Sequence, residues 1–266
     1  GSVAIGYAAL DAQNFTTATT SHNTAVGRGA GGSITTGIQN SILGSQAADA
    51  LVDAHGNTAV GYTALTADTE GNYSTAIGYA TLAAQNFTTN TTSHNVAVGY
   101  ASGNDITTGQ HNTLLGSGTG AKLTDTDFNT AVGSTALNDD VLGSRSTAVG
   151  YAALHAQNFT TATDSYNVAV GYNAGLSIST GQYNNLIGSL AGDSLTDADY
   201  NVVLGYGALR ADTQGSRSIA IGADTLAAQN FTTATNPHNI AIGHVAGNDI
   251  TTGIENILIG GLAGDA

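Results

Sequence analysis

Short apolar phrases framed by polar residues and glycine recur along the whole chain. NTAVGY at 57–62 is one, and near copies run from SVAIGY at 2–7 to NILIGG at 256–261. Each phrase is brief, rich in β-branched residues and bounded by Asn and Gly. That pattern predicts a short strand between turns, because the run is too short and too β-branched for a helix. Aligned on the closing glycine, the copies fall at Gly6, Gly27, Gly44, Gly61, Gly78 and onward to Gly260, with steps of 21, 17, 17 and 17 residues that repeat. Four steps sum to 72 residues, so units begin near residues 2, 74, 146 and 218, the last incomplete. A fixed period of this kind means stacked coils, each resting on its neighbours, in place of a conventional core. The expectation is an all-β fold, a parallel β-solenoid (β-roll or β-helix) of about 15 coils forming one repetitive domain over 1–266.

The columns of the repeat refine this. The residue before the glycine is always β-branched or Leu, as in Ile5, Val26, Leu43 and Val60. Four before it stands Asn in eleven of fifteen copies, and Ser in the four that open each unit: Ser2, Ser74, Ser146 and Ser218. Aligned Asn side chains are expected to form an amide ladder, modified at each Ser. A second, less regular strand is expected around Ile34, Ile106, Ile178 and Ile250, and around Leu51, Leu123 and Leu195. Turns are marked by TTG at 35–37, 107–109 and 251–253. At about 4.8 Å per coil the stack would extend roughly 70 Å.

Neighbouring residues of a strand point to opposite faces. Val60 and Ala59 therefore face opposite ways, yet both positions are apolar in every copy. A strand with one face in water alternates apolar with polar. The inference is that one face fills the coil and the other packs against another chain. A monomeric solenoid with a lightly exposed Ala-lined face is the alternative.

NTAVGYTAL (57–65) and STAVGYAAL (146–154) resemble the 17-residue repeats of bacteriophage tail-fibre-like proteins. SVAIG (2–6) is similar to the repeat in the heads of trimeric autotransporter adhesins, which are left-handed parallel β-rolls with three chains around an axis. The resemblance covers essentially the whole chain. It implies a homotrimer and an extracellular, cell-surface or virion location.

The long coils, such as AAQNFTTNTTSHN at 83–95, carry four extra residues. They place Asn14, Phe15, Asn86, Phe87, Asn158, Phe159, Asn230 and Phe231 at equivalent positions, the candidate contact loops of the chain. The Phe column either tucks under its own loop or forms an exposed row every ~19 Å. The first arrangement is favoured, because an exposed Phe row invites aggregation. NFT in these loops also fits the N-glycosylation acceptor pattern.

Composition narrows the partners. There are 36 Gly, one Pro and no Cys, and 19 acidic against 5 basic residues give a net charge of −14. Such a chain repels phosphate, so neither nucleic acid nor an anionic membrane surface is an expected partner. No run of 18 apolar residues spans a bilayer, so membrane insertion is not expected. Absence of Cys excludes disulfides and thiolate metal sites. The first residue is Gly, which is read as a mature or excerpted chain.

Chemical signals are weak. GRGAGG at 27–32 matches G-x-G-x-x-G, but it sits in register with sibling coils and lacks the strand–helix context of a dinucleotide site. His22, His94 and His238 share a column with Tyr166, four coils apart, too far to share a metal within one chain. TDTD (124–127), NDD (138–140) and TDAD (196–199) read as solvated acidic turns. No catalytic, cofactor-binding or metal residues are expected, and no enzyme activity. The expected role is a structural fibre shaft or adhesin stalk. The alternative is a receptor- or glycan-binding module using the long loops. The pattern runs unbroken to both ends without polar capping coils, which makes head-to-tail association into a filament a second arrangement beside the homotrimer.

Overall fold

A computed structural model describes residues 1–265. The described chain is an all-β parallel β-solenoid of about 15 turns without a helix. It falls into two compact units, Gly1–Asn129 and a second from Thr130 onward.

In the first unit seven strands stack in chain order: Val3–Ile5, Thr24–Val26, Ser41–Leu43, Thr58–Val60, Thr75–Ile77, Val96–Val98 and Thr113–Leu115. All pairs are parallel and in strict register, so that Ala59 lies between Ile42 and Ala76. A second, two-stranded ladder pairs Gly71–Asn72 with Thr91–Thr92. The second unit stacks eight strands the same way, from Thr130–Val132 to Ile257–Ile259. Its own side ladder joins Gly143–Ser144 to Thr163–Asp164, and a single bridge joins Gly215 to Thr235.

The closing glycine explains the period. At Gly61 φ is +134°, and a Cβ there would overlap the carbonyl oxygen of Gly78 in the next coil. Consecutive coils approach so closely at this corner that only glycine fits.

The regular strand expected around Ile34 and Leu51 is absent. Both residues are fully buried, but they lie in irregular backbone. The reason is local: two and four residues after the closing glycine the backbone turns left-handed, as at Ala8 (φ 55°) and Leu10 (φ 50°). This breaks any extended run, while main-chain hydrogen bonds still link coil to coil, such as Thr35 N–H to Val52 O at 3.0 Å.

Which strand face lines the core is now defined. The central residue points inward: Ala25, Ala59, Ala76 and Ala97 are fully buried, as is the larger Leu114. The opposite wall supplies the bulk. It does so either four residues after the glycine, as at Leu65, Leu82, Leu137 and Leu154, or seven after it, as at Ile34, Leu51, Ile106 and Leu123. Where the strand carries Leu, the corner shrinks to glycine. A Cβ on Gly103 would meet Leu114 Cδ1 at 2.8 Å and Leu82 Cδ2 at 3.0 Å. Large side chains on the strand are thus matched by glycine at the facing corner, as close packing requires.

The Asn ladder forms as expected. Asn40 Oδ1 accepts from Asn57 N–H at 3.0 Å, and Asn57 Oδ1 accepts from Ser74 N–H at 2.8 Å. Each amide also donates across its own coil, Asn40 Nδ2 to Ala54 O at 2.7 Å and Asn57 Nδ2 to Gly71 O at 2.8 Å.

Candidate functional site

Three surfaces have the regularity to act as a site. The first is the outward strand face. Residues three before and one before the closing glycine point away from the core and are half-buried or exposed, including Leu43 (51 %), Ile187 (42 %) and Leu204 (45 %). In all fifteen copies these two columns contain no Asp or Glu, although the chain holds 19 acidic residues. The residue after the glycine extends the pattern. It is Tyr in seven copies, never acidic, and stacks where Tyr recurs in consecutive coils. Tyr62, Tyr79 and Tyr100 lie with ring centroids 5.5 and 5.4 Å apart, and Tyr151 and Tyr172 at 5.5 Å.

The second surface is the row of long loops. Here the Asn and Phe candidates separate. Asn14, Asn86, Asn158 and Asn230 are exposed. Phe87, Phe159 and Phe231 are buried, and Phe15 is half-buried. The ring tucks beneath its loop, and the exposed row consists of Asn and Thr.

What seats the loop is a buried polar clasp. Asp68 Oδ1 accepts from Gly71 N–H at 3.1 Å and from Phe87 N–H at 3.0 Å. Its Oδ2 accepts from Gln85 Nε2 at 2.5 Å. Gln85 also donates to Ser74 Oγ at 2.9 Å and accepts from Asn95 Nδ2 at 2.9 Å. Ser74 and Ser93 hydroxyls meet at 2.6 Å. Ser replaces Asn at the head of each long coil because Gln reaches into the space that an Asn side chain would fill.

The clasp repeats with the unit. Asp140 binds Gln157 Nε2 at 2.5 Å, Gly143 N–H at 3.0 Å and Phe159 N–H at 3.1 Å. Asp212 binds Gln229 Nε2 at 2.6 Å, Gly215 N–H at 3.0 Å and Phe231 N–H at 3.0 Å. Gln13, at the equivalent position of the first coil, donates its Nε2 to Ser2 Oγ at 3.3 Å. Burial pushes the carboxyls of Asp68 and Asp140 above the ordinary Asp value, against the opposing pull of the Gln and backbone donors.

Asp140 corrects the expectation that NDD at 138–140 is a solvated turn: its side chain is fully buried. Asp68, Asp212 and the three Gln were not singled out in the sequence. A signal for them existed seven residues after the closing glycine, where the column reads Gln13, Ile34, Leu51, Asp68, then Gln85, Ile106, Leu123, Asp140. A polar pair on consecutive coils in an otherwise apolar, inward column marks a buried hydrogen-bonded contact.

The third surface is the column just before the ladder Asn. It holds His22, Tyr73, His94, His111, Tyr166, Tyr183 and Tyr200, all with φ between 49° and 60°. Tyr73, His94, His111 and Phe128 stack in sequence at 5.6, 5.3 and 5.0 Å. His94 and His111 are ring-stacking residues, and no group of three metal-ligating side chains occurs among the described residues. GRGAGG lies in the corner after a three-residue strand, with no helix following. No helix is long and apolar enough to cross a membrane among the described residues.

No family model, curated protein or solved structure matches the chain. The fold defines it as a parallel β-solenoid repeat protein.

Proposed function

We propose that the protein is a structural fibre shaft or adhesin stalk, on a virion or cell surface, in which copies of the chain associate as a homotrimer through the outward strand face. One observation carries this reading: in a chain of net charge −14, that face carries an exposed or half-buried Val, Ile or Leu before the glycine of every coil and no carboxylate in either of its columns. The 19 acidic residues all lie outside these two columns, so two copies meeting through this face bring no carboxylates of the strands together. Here they meet Val, Ile, Leu, Thr and Tyr, whose removal from water stabilises association by about 25 cal/mol per Å². Small increments summed over many identical coils give a contact that no single coil provides.

Native mass by size-exclusion chromatography with light scattering tests the proposal. The expected value is three times the 26.4 kDa chain, falling when Leu43→Glu and Ile187→Glu place charge on the face. A wild-type monomer across the accessible concentration range overturns it.

The exposed Asn14, Asn86, Asn158 and Asn230, with Thr88, Thr160 and Thr232 beside them, favour a second reading. Within each unit they form an uncharged hydrogen-bonding pair of loops suited to a glycan or receptor. Replacing these Asn and Thr residues by Ala, with every Phe retained, is expected to abolish attachment to host cells without altering the fold. Unchanged attachment means that the loops are architecture.

A further inference from the structure

The column before the ladder Asn holds its side chains in a geometry that a bulky residue adopts only at a cost. Tyr183 and Tyr200 sit at φ 58° and 59°, a left-handed conformation costing roughly 1–2 kcal/mol for an L-residue. Main-chain hydrogen bonds enforce it, Tyr183 N–H to Ser165 O at 2.8 Å and Tyr200 N–H to Gln182 O at 3.0 Å. The two rings are consequently parallel, with an interplanar angle of 1° and centroids 4.8 Å apart. Tyr166 continues the stack at 5.4 Å and 16°. At its other end the Arg217 guanidinium lies 4.9 Å from the Tyr200 ring, a cation–π contact that holds the terminal ring in place. All three Tyr are partly solvent-exposed, at 45, 39 and 47 %. An oxidant in solution reaches them, and no other side chain lies between them.

We propose that Tyr166, Tyr183 and Tyr200 form an oxidative cross-linking site, at which a one-electron oxidant such as a peroxidase with hydrogen peroxide joins consecutive coils as intrachain dityrosine. Each of two adjacent phenols gives one electron to the oxidant and one proton to water, leaving two neutral tyrosyl radicals. Their unpaired electrons pair as a carbon–carbon bond between the ring carbons ortho to each oxygen. Each bonded carbon then loses its hydrogen as a proton while the phenol oxygen regains one, restoring both aromatic rings. The net change is two electrons and two protons removed from the pair. The stack places both radicals at the effective concentration of a fixed contact, so coupling outruns encounter between molecules. In a chain without Cys, these bonds would be covalent ties between turns of the solenoid. The proposal rests on the coil geometry alone and is independent of the fibre reading.

Dilute protein treated with peroxidase and hydrogen peroxide, then digested and sequenced by mass spectrometry, tests it. The expected products are peptides joining Tyr183 to Tyr200 and Tyr166 to Tyr183, in a yield independent of protein concentration and lost in denaturant. Tyr183→Phe keeps a ring in the stack and is expected to remove both products. Tyr206 is the internal reference, since Ser189 and Ala223 flank it in its column. The proposal is overturned if Tyr206 couples within the chain as often as Tyr183. It is equally overturned if mixed light and heavy isotope-labelled chains show that the Tyr183–Tyr200 peptides are intermolecular.

Discussion

Gln85 donates its amide to the carboxylate of Asp68 in the coil beneath it, 2.5 Å away, with both side chains fully buried. Asp68→Ala leaves three buried donors, Gly71 N–H, Phe87 N–H and the Gln85 amide, without their acceptor. Each orphan costs about 1–3 kcal/mol, so a loss of at least ~3 kcal/mol in urea unfolding is expected. Asp68→Leu combined with Gln85→Leu is expected to cost less than the sum of the single changes. The same inward column holds Ile34 and Leu51 in the coils below, and a double-mutant cycle measures the difference.

The clasp also gives the protein a pH dependence. The carboxyls of Asp68 and Asp140 titrate above the ordinary value of 3.8, chiefly because burial disfavours the charged form. A raised folded-state pKa means the contribution is fully present below the unfolded value and lost as pH rises through the folded one. Stability from these two groups therefore increases as pH falls from neutrality toward 3.8. Thermal midpoints of wild type and of Asp68→Asn with Asp140→Asn, measured across that range, separate this from relief of the general negative charge. The variant is expected to gain less on acidification. An equal gain in both would remove the clasp as the cause.

Two glycines with positive φ are expected to respond very differently to alanine. At Gly61 the new Cβ overlaps the carbonyl of the next coil, whereas at Gly29 (φ +69°) it meets nothing within 4 Å. Gly29→Ala is expected to cost only the left-handed backbone penalty, about 1–2 kcal/mol. Gly61→Ala adds a main-chain clash and is expected to cost on the order of 4 kcal/mol or more. Unfolding free energies of the two variants provide the comparison.

Serine is accepted at position 74 but is not expected to be accepted at position 40. Ser74 is completed by Gln85, while the corresponding position in the coil of Asn40 is Leu51, which donates nothing. Asn40→Ser leaves Ala54 O and Asn57 N–H without partners. It is expected to cost nearly as much as Asn40→Ala, about 2–4 kcal/mol for two buried groups. A near-neutral Asn40→Ser would show that the hydroxyl alone supports the ladder.

The solenoid was legible because its constraints act within single columns. Gly61 must be glycine since the next coil's carbonyl occupies the place of a Cβ, and Asn57 must be an amide since it bridges the coil and the next main-chain N–H. Such requirements recur at every turn and so print the period directly into the chain. The tucked Phe87 was legible for the same reason, as an apolar residue that recurs only with the longer coil.

Tertiary structure decided what depends on two columns at once. Val60 and Ala59 are both apolar, so their order in sequence leaves open which faces inward. The answer comes from the opposite wall, where Leu65 supplies the bulk of the core and the small Ala59 is buried with it. Asp140 looked like one more exposed acid, and its burial depends on Gln157, 17 residues later, lying directly above it. Sequence alone determined the period, the corner glycines and the Asn ladder, because each is imposed by contact between identical positions of successive coils. The folded chain determined the inward face and the Asp–Gln clasp, because these arise from contacts between unlike positions, brought together only when the coil closes.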